Sequence, residues 1–195
     1  MALIGQYDNS NRFALADGSN LTPANGWSTI YIPSSAFTKP LNTTTYPAYS
    51  TLTDNDITQY AVFLPSVDTY AQTNFLIPAK MIASHGLQIK FHTYGIHTSS
   101  SDDNNIVLGV MGKTFNPNTT IATTYSNIVT TTATINASKM RESTVTITPQ
   151  DFAADCPVSL IFGRIGTNSS DLLTTQNIGI MGITVYYYTI FTSDI

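Results

Sequence analysis

An all-β fold, an antiparallel β-sandwich of jelly-roll-like kind, is what this sequence predicts, on three observations. Apolar and polar residues alternate at period two in run after run, which is the signature of half-buried strands. The runs are filled by Val, Ile, Thr, Tyr and Phe, residue types that suit a pleated surface. The chain is also poor in charge. Asp, Glu, Lys and Arg make up 10% of it, against about 25% in an average globular protein, and Glu142 is the single glutamate. Exposed helices draw on Glu and Lys, so little helix is expected beyond one short segment near residues 149–154. A chain of 195 residues can build one good core, and no internal repeat or linker-like shift in composition divides it. We read residues 1–25 as an N-terminal arm and 26–195 as a single sandwich domain.

Met1 to Asn25 has no sustained period and two turn clusters, with one short strand at Arg12 to Leu15. Trp27 to Ile32 alternates and stops at Pro33, a first core strand. Lys39 to Asp56 reads as a long loop of the kind that is usually functional or disordered, and its Tyr46 and Tyr49 are candidate contact residues. Ile57 to Pro65 is a second strand, Phe75 to Pro78 follows a turn, and Ala79 to Ser84 is one helical turn. In Leu87 to Tyr94 the residues Leu87, Ile89, Phe91 and Thr93 point inward, with Gln88, Lys90 and His92 outward. Strands follow at Ile106 to Met111, Tyr125 to Ile135 and Ser143 to Ile147. Thr148-Pro149-Gln150-Asp151 then reads as a helix start, with Thr148 as N-cap and Pro149 at the first helical position.

The chain ends in a strand pair from Pro157 to Phe191. Met181-Gly182 interrupts the alternation as a bulge would. Beyond it both faces are apolar or Tyr: Ile183, Val185 and Tyr187 on one, Tyr186, Tyr188 and Ile190 on the other. Such a strand is either central in its sheet or turns one face to another subunit. Tyr186, Tyr188 and Ile190 are therefore candidate interface residues, the two tyrosines having large rings and hydroxyls that can stay wet.

The motifs that carry chemistry are missing. No G-x-S-x-G, P-loop or dinucleotide fingerprint occurs. Every aspartate lies in or beside a turn, so no carboxylate pair is set for glycoside hydrolysis. Asp54-Asn55-Asp56 and Asp102 to Asn105 lack the spacing of a calcium loop. His85, His92 and His97 read as surface polar residues rather than ligands. The lone Cys156 excludes an internal disulfide and reads as a small buried thiol. We expect no enzyme activity, no cofactor and no metal. Net charge −4 and pI near 5.0 argue against a nucleic-acid partner. No basic amphipathic segment points to a membrane, and Met1 to Gly5 has no basic region or apolar core, so no signal peptide is expected. One charge stands out. Arg164 closes an apolar strand and Asp171 is the nearest carboxylate in sequence, so we pair them across the intervening loop.

Several of these features recur together. They are Trp27 in a first strand, Thr146 to Phe152, Phe162-Gly163-Arg164, Asp171-Leu172-Leu173, and Val185 to Tyr188. The set resembles small jelly-roll structural proteins of tailed bacteriophages, over roughly Trp27 to Tyr188. The resemblance implies a virion part made in the host cytoplasm: capsid decoration or cement, a head fibre or a tail component. It implies homo-oligomers, commonly trimers, docked on other virion proteins such as major capsid or tail proteins, and it supplies no catalytic residues. The low charge and the long Lys39 to Asp56 loop depart from the pattern. The alternative is a carbohydrate-binding receptor-recognition module of a phage fibre, with Tyr46, Tyr49 and Tyr70 as loop aromatics beside Asp and Asn and a glycan as partner.

Overall fold

The computed structural model of the chain describes residues 6–7, 13–14, 26–40, 45–51, 59–79, 81–99, 103–115 and 125–189. It is a sandwich of two antiparallel sheets. Two short strands, β1 (Gln6–Tyr7) and β2 (Phe13–Ala14), pair with each other. The larger sheet takes β3 (Gly26–Pro33), β4 (Ala48–Thr51), β5 (Gln59–Phe63), β7 (Leu87–Gly95), β10 (Met140–Ile147) and β12 (Ile178–Thr189). Its order is β10-β7-β12-β5-β4, with β3 added along the far half of β12. The smaller sheet has the order β6-β11-β8-β9, from β6 (Asp68–Leu76), β8 (Asn104–Thr114), β9 (Val129–Ile135) and β11 (Pro157–Ile165).

β12 is the hub of the larger sheet. One edge pairs with β7 over Ile178 to Tyr187, and the other pairs with β5 over Ile178 to Ile180 and with β3 over Gly182 to Thr189. The register slips by one between Ile180 and Gly182, so Met181 is the bulged residue and the strand changes phase there. The two-sided apolar pattern thus belongs to a strand bonded on both edges. The core between the sheets is made by Leu87, Ile89 and Phe91 of β7, Ile178, Ile180, Ile183 and Val185 of β12, and Val158, Leu160 and Phe162 of β11. Phe162 meets Phe37 and Phe91 edge-on, with ring centroids 4.8 and 6.1 Å apart.

Three expectations are corrected. Thr148 to Ala154 is not a helix: Gln150 forms an isolated bridge with Lys113, and Asp151 and Asp155 take φ of 55°. The reason is competition for backbone bonds. The Gln150 N–H donates to the Gly112 carbonyl and its own carbonyl accepts from Thr114 N–H, which continues the edge of β8 in place of a helical ladder. The Lys39 to Asp56 loop contains a strand, β4, which lays Tyr49 against β5. And β6 begins at Asp68, well before Phe75, because its inward row is Thr69, Ala71 and Thr73, small residues that give no hydropathy signal. The helical turn expected over Ala79 to Ser84 is a single 3-10 turn at Ala83–His85.

Candidate functional site

The register of the larger sheet aligns side chains into rows on its outer face. Trp27 lies beside Tyr188. Thr29, Tyr186, Gln88 and Thr146 form the next row, and Tyr31, Thr184, Lys90 and Thr144 the one after. Gly182, His92 and Glu142 complete the set. Because directly paired residues share a face, the sheet gathers here Trp27, three tyrosines, two histidine rings (with His85) and the chain's single glutamate.

At one corner the rings form a cluster. His85 stacks on Tyr188 at 4.2 Å and 10°, and Trp27 meets Tyr188 edge-on at 5.4 Å. Tyr188 is clamped between neighbours of its own chain, while Trp27 remains 41% exposed. Four residues along β3, Tyr31 is 58% exposed. Its ring lies over Gly182, where a Cβ would come within 2.6 Å of the Tyr31 hydroxyl, so the glycine makes the seat. The Tyr31 hydroxyl donates to the carbonyl of the bulged Met181 at 3.4 Å, and the ring meets the edge of His92 at 5.7 Å.

Between the rings lies a polar network. Lys90 Nζ donates to Glu142 Oε2 at 3.0 Å and stands 5.4 Å from the centre of the Tyr186 ring. His92 Nδ1 is 3.3 Å from Glu142 Oε1, and its Nε2 is 2.7 Å from Thr184 Oγ1. The hydrogen bond from Lys90 holds the Glu142 carboxyl below its ordinary range. Tyr186 and Glu142 together raise the Lys90 amine. Burial is the larger influence on His92 and lowers it from the usual histidine value, so the ring is neutral at pH 7. The two fixed charges of this network, Lys90 and Glu142, cancel each other.

The sequence placed Tyr186 and Tyr188 on this face but missed Trp27, Tyr31, Lys90, His92, Thr184 and Glu142 as a group. The outward row Gln88, Lys90, His92 was readable; its union with Glu142 was not, since it depends on the register of β10 against β7. Ile190 lies outside the described residues. Tyr46 and Tyr49 stand away from this network. Their hydroxyls are hydrogen-bonded to each other at 2.6 Å and stand within hydrogen-bond reach of the Phe37 carbonyl, at 3.3 and 2.8 Å. Burial, with the Tyr46 hydroxyl beside it, pushes the Tyr49 phenol up. Tyr70 is pushed up to about 12 by burial and by Asp68.

Two further clusters pin loops. Arg164 is fully buried, and it grips Asp171 with Nε to Oδ2 at 2.9 Å and Nη2 to Oδ1 at 2.7 Å. Its guanidinium also donates to the carbonyls of Gln176, at 2.8 Å, and Leu173. Asp171 Oδ2 in turn accepts from Val107 N–H of β8. At the end of β7, Asp103 accepts from Asn136 Nδ2, from Ala137 N–H and from His97 Nε2, at 2.7, 2.7 and 3.1 Å. His97 is therefore buried, contrary to the expectation of a surface residue.

No family model and no curated protein sequence matches this chain. Solved structures with a similar course of chain include the CBM36-1 domain of a multidomain xylanase from the hindgut metagenome of Trinervitermes trinervoides. It is 6% identical with a TM-score of 0.45, over 81% of this chain and 96% of that one. A family 11 carbohydrate-binding module from Clostridium thermocellum, in complex with a β-1,3-1,4-mixed-linked tetrasaccharide, is 12% identical with a TM-score of 0.40, over 82% and 87%. A structure of infectious bursal disease virus, Gx strain, is 10% identical with a TM-score of 0.37, over 99% of this chain and 42% of that one. At these identities and scores the likenesses carry no conclusion about function.

Proposed function

We infer that this chain is a non-enzymatic structural module of a bacteriophage virion, a head or tail component, that works by docking a partner on the outer face of its larger sheet. The observation that carries the docking reading is the pair of half-exposed rings, Trp27 and Tyr31, set on a rigid sheet around a bonded polar network. Protein surfaces seldom hold several aromatic rings open on one flat element without a use for them. The non-enzymatic reading draws support from the state of the acidic group on this face: Glu142 is tied to both Lys90 and His92. A carboxylate so engaged is poorly placed as a general base. The virion setting draws its support from the motifs between Trp27 and Tyr188.

The homo-oligomer expected from the last strand belongs to the same proposal, with a reduced motive, because His85, Trp27 and Lys90 of the same chain cover part of Tyr186 and Tyr188. The test is a phage carrying Trp27→Ala with Tyr31→Ala. Both rings are on the surface, so the variant folds. The proposal predicts either less of the protein in purified virions or slower adsorption to host cells. Virions with a parental amount of the protein and parental adsorption would refute it.

A further inference from the structure

We propose that the occupant of this face is an uncharged carbohydrate chain, laid along β3 and β12 with Trp27 and Tyr31 as ring platforms and the Lys90–Glu142–His92–Thr184 network as hydroxyl partner. The inference rests on the reading of this face as a docking surface and adds the chemistry of what docks. Trp27 and Tyr31 stand four residues apart on one strand, on the same face, and so about 13 Å apart along it. That span accommodates a few linked sugar rings. The flat apolar side of an indole or phenol matches the C–H side of a pyranose, whose hydroxyls then point outward in the ring plane.

Those hydroxyls need partners that both donate and accept. Thr29, Thr184 and Tyr186 offer hydroxyls between the two platforms, Lys90 offers an amine, and Glu142 keeps acceptor capacity beyond its bonds to Lys90 and His92. Aromatic walls with a few fixed polar groups are the usual make-up of a small-ligand site. The polar groups are also held before any ligand arrives: both ring nitrogens of His92 are engaged and Tyr188 is clamped by His85 and Trp27. Preorganisation of this sort lowers the ordering cost of binding.

Charge decides between occupants. The Lys90–Glu142 pair is internally neutral and His92 is uncharged, so a phosphate, an acidic peptide or an anionic lipid finds no uncompensated cation. A protein partner is disfavoured for a different reason. Stable protein interfaces place apolar residues at the centre and polar ones at the rim. Here the rows Thr29–Tyr186–Gln88–Thr146 and Tyr31–Thr184–Lys90–Thr144 run polar groups through the middle.

Trp27 is the only tryptophan in the chain, so its fluorescence reports from the site alone. The purified chain is titrated with a neutral β-glucan, a mannan and a galactan, and with polygalacturonate and phosphatidylglycerol vesicles as charged controls. The expected result is a saturable change in emission with at least one neutral polysaccharide. Tyr31→Ala and Glu142→Gln should each weaken it about tenfold, the scale of one lost ring contact or hydrogen bond, and Leu172→Ala, exposed on the loop tied to β8, should leave it unchanged. No change with any neutral polysaccharide, or a change confined to the charged probes, overturns the inference. If the sugars fail while the Trp27→Ala, Tyr31→Ala phage is still defective, only the ligand class falls. A parental phage removes the docking reading itself.

Discussion

Replacing Arg164 by alanine removes the charge around which the loop between β11 and β12 is built. The Asp171 side chain would be left fully buried with the backbone N–H of Val107 as the remaining donor to its carboxylate, and the carbonyls of Leu173 and Gln176 would lose the guanidinium. Breaking a buried pair on one side costs about 3–5 kcal/mol, and the buried Leu173 carbonyl, left without the guanidinium, adds roughly 1 kcal/mol. A loss of about 4–6 kcal/mol is a large part of the ~5–15 kcal/mol by which a domain is stable. For a chain of this size each kcal/mol moves the midpoint by about 2–4 °C, so thermal unfolding followed by far-UV circular dichroism should show a drop of at least ~8 °C. The double variant Arg164→Met, Asp171→Leu removes both charges and should recover much of that loss, a coupling read by the double-mutant cycle. An Arg164→Ala protein that melts within about 2 °C of the parent would refute the reasoning, since that is the scale of a surface substitution.

Other outcomes follow from the same geometry. Far-UV circular dichroism should be dominated by strand with helix below about a tenth, against a usual third; a helix-rich spectrum would contradict the sandwich. Tyr186→Asp with Tyr188→Asp should leave a folded chain, as both rings lie on the outer face. Light scattering on parent and variant reads whether they hold copies together, and an unfolded variant would place the rings in the core. His92 has a lowered folded-state value, so its neutral form stabilises the fold above the ordinary histidine value of 6.5, and that contribution is lost as pH falls through the lower folded value. Melting should therefore drop more between pH 7.5 and 5.0 in the parent than in His92→Asn. Equal slopes would show that the ring titrates as it does in the unfolded chain.

What was legible in the sequence were features whose partners are close in sequence or whose pattern is strong. Leu87 to Tyr94 alternates so regularly that its inward row could be named, and all four inward residues are fully buried. The Met181-Gly182 break marks a bulge because it shifts phase within one strand. Arg164 and Asp171 lie seven residues apart, near enough for a loop to join them. β6 was hidden because a row of Thr69, Ala71 and Thr73 can be buried by pairing with β11 yet has no hydropathic contrast. Thr148-Pro149-Gln150-Asp151 misled because the residues that cap a helix also serve a turn, and the free edge of β8 captured Gln150. The outer-face network needed two registers at once, β10 on β7 and β7 on β12, which bring Glu142, His92 and Thr184 together from 92 residues of chain.

For a chain that is the virion component proposed above, the docking face is tested most directly by hydroxyl-radical footprinting in three states: purified, in intact virions, and in virions bound to host cells. The account predicts that oxidation of Trp27 and Tyr31 falls sharply in one of the two virion states, while Phe115 and Tyr125, which flank Lys113 of the smaller sheet, keep their free-chain rates. Trp27 and Tyr31 oxidising at the free-chain rate in all three states would contradict it.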